Sequence, residues 1–249
     1  MATLGSAQAA DETAVGTISD VDGTAEIVSS GASAGATDGA AVHLNDQLKT
    51  GAGAHLKVTF RDETVLTLGE DASVVIDRYV YDPQKNVGDV LLTTTQGAFR
   101  FATGKMKELS TKTITVTTPV ADIAVRGTEF WGGLVDGKYN VLLLTGEVNV
   151  KNEAGTVLLN SPGLATVIGS RLQAPLHPSL WSIDKIQHAL TRTVTRKGLK
   201  ELERELHNFK FRGLPGKNQI PGLIKPKDVK PKVGPGGLKQ YLRRLPKFW

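Results

Sequence analysis

Leu56-Lys57-Val58-Thr59-Phe60, then Arg61-Asp62-Glu63, then Val65-Leu66-Thr67-Leu68: the stretch 56–68 alternates apolar and polar side chains around a polar turn. Successive side chains of an extended chain point to opposite faces, so Leu56, Val58 and Phe60 can enter one core together. The pattern predicts two half-buried strands joined by a turn. Runs of the same kind recur on both sides: Thr24–Val28, Ser73–Asp77, Thr113–Thr117, Tyr139–Leu144, Glu147–Lys151, Thr156–Leu159 and Ala165–Ile168. They are short, rich in Val, Ile and Thr, and separated by turn residues such as Asp22-Gly23, Gly69-Glu70-Asp71, Asp136-Gly137 and Asn152-Glu153-Ala154-Gly155. From Val15 to Ile168 this predicts an all-β sandwich, barrel or solenoid. Ser29–Ala41 and Ala102–Lys112 read as loops, and no fixed-period repeat is visible.

Beyond Pro175-Leu176-His177-Pro178 the period changes. Ile183, Ile186, Leu190 and Val194 recur at helical spacing, predicting an amphipathic helix over 182–196. After Gly198, Leu199, Leu202, Leu206 and Phe209 make a second apolar stripe, so 182–210 reads as one helical segment. Residues 211–249 are rich in Pro and Gly interleaved with lysine, a composition for an extended, disordered tail. The organisation expected is therefore an amino-terminal stretch 1–14, a β domain 15–170, a linker 171–181, the helical segment 182–210 and the basic tail 211–249.

The charge divides in the same place. The chain's 30 Lys and Arg against 25 Asp and Glu leave a net of +5. Residues 1–180 alone carry −7 and residues 181–249 carry +12. An acidic body joined to a cationic tail points to an anionic partner for the tail, or to the tail folding back on the body. With no cysteine, disulfides, thiolate metal sites and cysteine nucleophiles are excluded. No apolar run approaches the ~18 residues of a membrane helix. Ala7-Gln8-Ala9 has the small-x-small form cut by signal peptidase, but no positive and apolar regions precede it. Residues 1–14 are read either as the end of an export signal or as a flexible terminus.

Four segments in order, from Val15 to Ile168, resemble the FecR domain. Thr118-Pro119-Val120-Ala121-Asp122-Ile123-Ala124-Val125-Arg126-Gly127-Thr128-Glu129-Phe130 is similar to the family's T-P-x-A-x-x-x-V-R-G-T-x-F. Leu44-Asn45-Asp46-Gln47-Leu48-Lys49-Thr50-Gly51 resembles its L-x-x-G-D-x-I-x-T-G segment, with Asn45 where glycine is expected. Phe60-Arg61-Asp62-Glu63-Thr64-Val65-Leu66-Thr67-Leu68 resembles its F-x-D-G-S-x-x-x-L turn, with Glu63 where glycine is expected, and Leu144-Thr145-Gly146-Glu147-Val148-Asn149-Val150 its closing G-x-V-x-V. The resemblance implies an irregular β-solenoid or β-sandwich-like domain outside the bacterial cytoplasm, periplasmic or extracellular. The best-known members add a membrane helix and a cytoplasmic sigma-factor-binding segment. Neither is read in this sequence, so sigma-factor regulation is not carried over.

No catalytic motif competes with this reading. The five histidines show no metal-ligand spacing, and no nucleophile elbow or phosphate loop is present. Asp20-Val21-Asp22-Gly23 begins like a calcium loop but lacks its later ligands, and a hairpin turn is the simpler reading. No cofactor, metal or small-molecule substrate is expected. The motif residues Pro119, Asp122, Arg126, Gly127, Thr128 and Phe130 are read as structural, with Arg126 reaching Asp122 or Glu129. The other reading has Arg126 offering its guanidinium to a partner carboxylate. Lys225, Lys227, Lys230, Lys232, Arg243, Arg244, Lys247 and Trp249 are candidates for docking on an envelope protein, an anionic polymer or a membrane surface. Nucleic acid is the second choice of partner. A third reading is a polysaccharide-active protein working through Asp20 and Asp22 or Glu70 and Asp71.

Overall fold

The computed structural model describes residues 14–200 and 202–204. Ala7-Gln8-Ala9, Leu206, Phe209 and all eight tail candidates, Lys225 to Trp249, lie outside the described residues. The chain divides into two compact units, Met1–Leu199 and Lys200–Trp249; in the second, residues 202–204 are helical. No helix among the described residues is long and apolar enough to cross a membrane.

Among the described residues, sixteen strands build the first unit. They begin with β1 (Gly16–Asp22), β2 (Ala25–Ser29), β3 (Ala32–Gly35), β4 (Ala41–Val42), β5 (Gln47–Thr50), β6 (His55–Phe60) and β7 (Val65–Leu68). Then come β8 (Ser73–Asp82), β9 (Val87–Gln96), β10 (Phe99–Ala102), β11 (Thr111–Thr117) and β12 (Asp122–Val135). The series closes with β13 (Lys138–Asn152), β14 (Gly155–Leu159), β15 (Leu164–Ile168) and β16 (Ser179–Leu180), before helix α1 (Ile183–Thr191). All belong to one sheet, ordered β3-β2-β5-β8-β9-β11-β12-β10-β7-β6-β1-β4, with β13 on β12 and β14, β15 and β16 beyond it. Every pair is antiparallel except β9 with β11. β1 and β2 are joined by Gly23 and Thr24 alone, yet sit near opposite ends of that order. A two-residue link between opposite ends forces the sheet to curl back on itself, and the all-β expectation holds.

One apolar core fills the curl. In β6 Leu56, Val58 and Phe60 are buried while His55, Lys57 and Thr59 are half-exposed, the alternation read from the sequence. Phe99, Phe101 and Phe130 meet at the centre, Phe99 edge-on to Phe130 with centroids 5.6 Å apart. α1 covers the outer face of β12: Ile186, Ala189 and Leu190 are buried, and Trp181 lies against Trp131 at 6.4 Å. Ser182 caps the helix by accepting the Lys185 amide.

Three expectations are corrected. The segments Tyr139–Leu144 and Glu147–Lys151 are one fifteen-residue strand, β13, paired along most of its length with the fourteen-residue β12. There Val141, Leu142, Leu143 and Leu144 are all buried, because one face meets the core and α1 covers part of the other, so the period-two signal is lost. Ser29–Ala41 is not a continuous loop, since β3 pairs with β2; its Ala-Ser-Ala-Gly residues are all exposed and left no apolar signal. The helix expected over 182–196 ends at Thr191, after which Thr191 and Thr193 turn their hydroxyls back to the carbonyls of His188 and Leu190.

The departures from the family's glycines keep the glycine geometry. Asn45 has φ 67° and Glu63 φ 65°, both left-handed. Asn tolerates that region better than Glu, whose Cβ is strained there. Glu63 is partly compensated by an ion pair with Lys105 at 2.5 Å between two largely exposed side chains, a contact of small worth. Glu63→Gly is therefore expected to stabilise the fold by about 0.5–1 kcal/mol despite losing that pair. Urea unfolding measures this; a lower midpoint in the variant would contradict it.

Candidate functional site

The Thr118–Phe130 segment is a turn, a strand and a bulge. Thr118 closes the β11–β12 turn with its hydroxyl, donating to the Ala121 carbonyl at 2.7 Å and accepting the Ala121 amide at 3.0 Å. Pro119 occupies the exposed tip, where its fixed φ costs nothing and no amide is needed. Past Val125 the pairing of β12 with β13 slips: Arg126 faces Glu147, and the next paired residue is Glu129. Gly127 sits in the slip with φ 58°, opposite Gly146 with φ 78°. A methyl group on Gly146 would stand 2.5 Å from the Gly127 carbonyl, so the two strands meet backbone to backbone.

Thr128 repairs the ladder that the bulge breaks. Its buried hydroxyl donates to the Glu147 carbonyl at 2.6 Å and accepts the amides of Glu147 and Arg126, each at 3.2 Å. Its carbonyl accepts both the amide and the hydroxyl of Thr103, which ties the bulge to the end of β10. Phe130, the next core-facing residue, is fully buried. In this motif the threonine carries the structural duty.

The arginine does not. Arg126 is exposed, and among the described residues its side chain makes no ion pair or hydrogen bond. The expected link to Asp122 or Glu129 is not formed because other arginines hold both acids. Arg171 bonds Asp122 at 3.2 Å and the Thr118 carbonyl at 2.9 Å, and Arg100 bonds Glu129 at 2.6 Å through Nε. Lys107 lies beside Gly127, its Cβ 3.5 Å from where a Gly127 side chain would begin, and is also exposed.

The acid pairs proposed for polysaccharide chemistry are engaged or apart. Asp20 is buried and pairs with Lys197 at 2.8 Å, while Asp22 takes the Arg196 amide. Burial would raise the Asp20 pKa, but bonds from Lys197 and Thr195 outweigh it and hold the carboxyl below its usual value. Neither acid is a free proton-transfer partner. Glu70 and Asp71 lie on the exposed β7–β8 turn, Glu70 accepting the Gly53 amide. No group of three or more acids and histidines among the described residues is arranged to hold a metal ion.

The family model described as FecR protein matches residues 46–149, from Asp46 through the Arg126–Thr128 bulge to Asn149. Residues 46–149 are a FecR domain. No curated protein matches the chain. Two crystal structures of a candidate anti-sigma factor from Parabacteroides distasonis ATCC 8503 are similar. One is 22% identical over 58% of this chain and 64% of its own, with a TM-score of 0.45. The other is 20% identical over 59% of this chain and 73% of its own, with a TM-score of 0.43. The match thus spans slightly less than two thirds of the first of these proteins.

The FecR domain is narrower than the sheet that contains it. β1 to β4 precede the matched residues, and β14, β15, β16 and α1 follow them, all within the same fold. Sequence reasoning missed the contacts crossing that boundary, Arg171 on Asp122 and the Arg192–Lys197 segment on β1. A clue was present in Arg196-Lys197, a basic pair placed beyond the true helix end.

Thr128→Val removes a buried hydroxyl that satisfies three backbone groups, and is expected to destabilise the fold by about 1–3 kcal/mol. Arg126→Ala is expected to stay within about 0.5 kcal/mol of the parent. Chemical denaturation of the two variants side by side measures the contrast, and equal losses would refute this division of labour. His55 adds a pH dependence. Burial lowers its pKa below 6.5, against the pull of Asp22, Glu70 and its bond to the Arg192 carbonyl. The unfolded chain then binds the proton more readily, so stability is complete above about pH 6.5 and falls as the pH drops toward the folded-state value. The urea midpoint should decline between about pH 7 and pH 5, and His55→Asn should flatten that decline; a variant with the parent's profile would exclude His55 as the cause.

Proposed function

We propose that the chain works as a non-enzymatic interaction or sensing module outside the bacterial cytoplasm, whose cationic carboxy-terminal segment docks on an anionic envelope surface or partner. The FecR domain over residues 46–149 carries this reading. The motif arginine supports it, because a guanidinium that the fold does not use is free to meet a partner's carboxylate. The acid pairs support the non-enzymatic part, since Asp20 and Asp22 are held by a lysine and a backbone amide. The tail's Lys225, Lys227, Lys230 and Lys232 would attract anionic headgroups or polymers at ~1 kcal/mol per charge near the surface, with Trp249 adding interfacial contact.

Two measurements test the reading. Fractionation of cells expressing the natural gene should place the protein in the envelope or the medium, and a strictly cytoplasmic product would sink it. Co-sedimentation of the full chain with phosphatidylglycerol vesicles should fall steeply between about 0.05 M and 0.5 M salt. Replacing the four tail lysines with glutamine should weaken it at the lower salt. Retention indifferent to both salt and charge would refute electrostatic docking, and a clear preference for a DNA oligonucleotide over vesicles would favour the nucleic-acid alternative.

A further inference from the structure

Residues 192–198, which follow α1, lie across the corner where β1 gives way to β2, and their contacts divide into two kinds. The first are contacts to a fixed, small-featured backbone track. The Arg192 carbonyl lies where Gly69 has no side chain; a methyl group there would stand 2.2 Å from that oxygen. His55 bonds the same carbonyl, and the Arg192 guanidinium donates to the Leu134 carbonyl. The second are charge contacts to three carboxylates. Thr195 bonds Asp20, the Arg196 amide and guanidinium meet Asp22, and the Lys197 ammonium lies between Asp20 at 2.8 Å and Asp38 at 2.9 Å.

The two sides of this contact are unequal. Asp20 and Asp22 are fixed on the last three residues of β1, paired with β6, with side chains 6% and 18% exposed, whereas Arg196 and Lys197 are 85% and 70% exposed. A carboxylate held rigidly below the surface is a built receptor. A long, solvated cation reaching down to it is an exchangeable occupant, because its pairs with Asp22 and Asp38 lie nearer the surface, where salt weakens them more than the buried Asp20 pair. We propose that Asp20, Asp22 and Asp38 form a binding site for a basic peptide segment, filled in cis by Thr195-Arg196-Lys197 and open to a basic segment of a partner protein when that strap is displaced. Gly69 and the His55 bond hold the Arg192 carbonyl at the end of α1, the chain turns at 195–198 where the Gly198 amide donates to the Thr195 carbonyl, and the carboxylates select a Thr-Arg-Lys type of sequence in that turn. The site is distinct from the FecR motif and independent of where the basic tail docks.

The test uses the full chain carrying Arg196→Ala and Lys197→Ala, and a fluorescein-labelled peptide of residues 190–199 as probe. At about 0.02 M salt the probe should bind this variant about tenfold more tightly than the unaltered chain, whose own strap competes. Binding should weaken as salt rises to about 0.2 M. Asp20→Asn in the same background should remove most of it. Asp38→Asn, on a half-exposed loop residue that the core does not need, should weaken it several-fold and carries the test if the Asp20 variant does not fold. Failure of the probe to bind, equal binding to altered and unaltered chains, or binding indifferent to Asp38 overturns the proposal.

Discussion

The Asp62 carboxylate is fully buried, and three separate parts of the chain are arranged around it. A charge removed from water must be fully bonded or it destabilises the fold by several kcal/mol. Here it accepts the Thr64 hydroxyl at 2.6 Å, the Tyr79 hydroxyl at 2.9 Å, the Met106 amide at 3.2 Å and the Thr64 amide at 3.3 Å. Those donors come from the β6–β7 turn, from β8 and from the segment after β10. The neighbouring polar groups close on each other as well: Thr64 accepts the Gly104 amide, Tyr79 accepts the Asp62 amide, and the Asp62 carbonyl accepts Lys105. Burial beside this charge pushes the Tyr79 pKa well above its usual value, so the phenol stays protonated and keeps donating. Phe60 stacks on the same ring at 5.3 Å, which joins the polar knot to the apolar core.

The bulge at Gly127 and Thr128 does for the far side of the sheet what Asp62 does for the near side. One withdraws a backbone slip from the ladder and resolves it with a hydroxyl; the other anchors a turn with a carboxylate. Thr103 links them, one residue from Gly104 at the Asp62 knot and bonded to Thr128 at the bulge. The distinctive motifs of the FecR domain are therefore two polar anchors of one curved sheet. Arg126 stands outside this system of bonds, and its exposure is what allows it a role beyond folding.

Much of the fold was legible in the alternation of Leu56 to Leu68, because one face there is core and the other is solvent. Legibility failed where that contrast disappears. β12 and β13 are covered by α1 on part of one face and fill the core with the other, so Trp131 and Leu142 look no different from Phe130 and Leu143. β3 failed for the opposite reason, being exposed on both sides. The site was half legible. The motif located the bulge and the turn, but the partners of its charged residues lie far along the chain. Asp122 waits for Arg171 and Asp20 for Lys197, and spacing alone does not encode such pairs. Asn45 and Glu63 show a third case, in which the residue type departs from the pattern while the backbone keeps the conformation.

The short link between β1 and β2 has a consequence for how the protein is made. Its first two strands belong near opposite ends of a sheet whose middle is β9, β11 and β12. β1 can pair with β6 and β2 with β5 early, but the curl joining those two halves is complete only when β12, ending at Val135, has entered between β11 and β10. Contacts of such long sequence separation form slowly, because the loop entropy is lost before the pairing energy is gained. A nascent chain shorter than this holds two partial sheets with unpaired edges at β9 and β10, the kind of surface that recruits chaperones or aggregates. The same two-residue corner that lets the finished sheet curl also keeps the fold open until more than half of the chain has been synthesised.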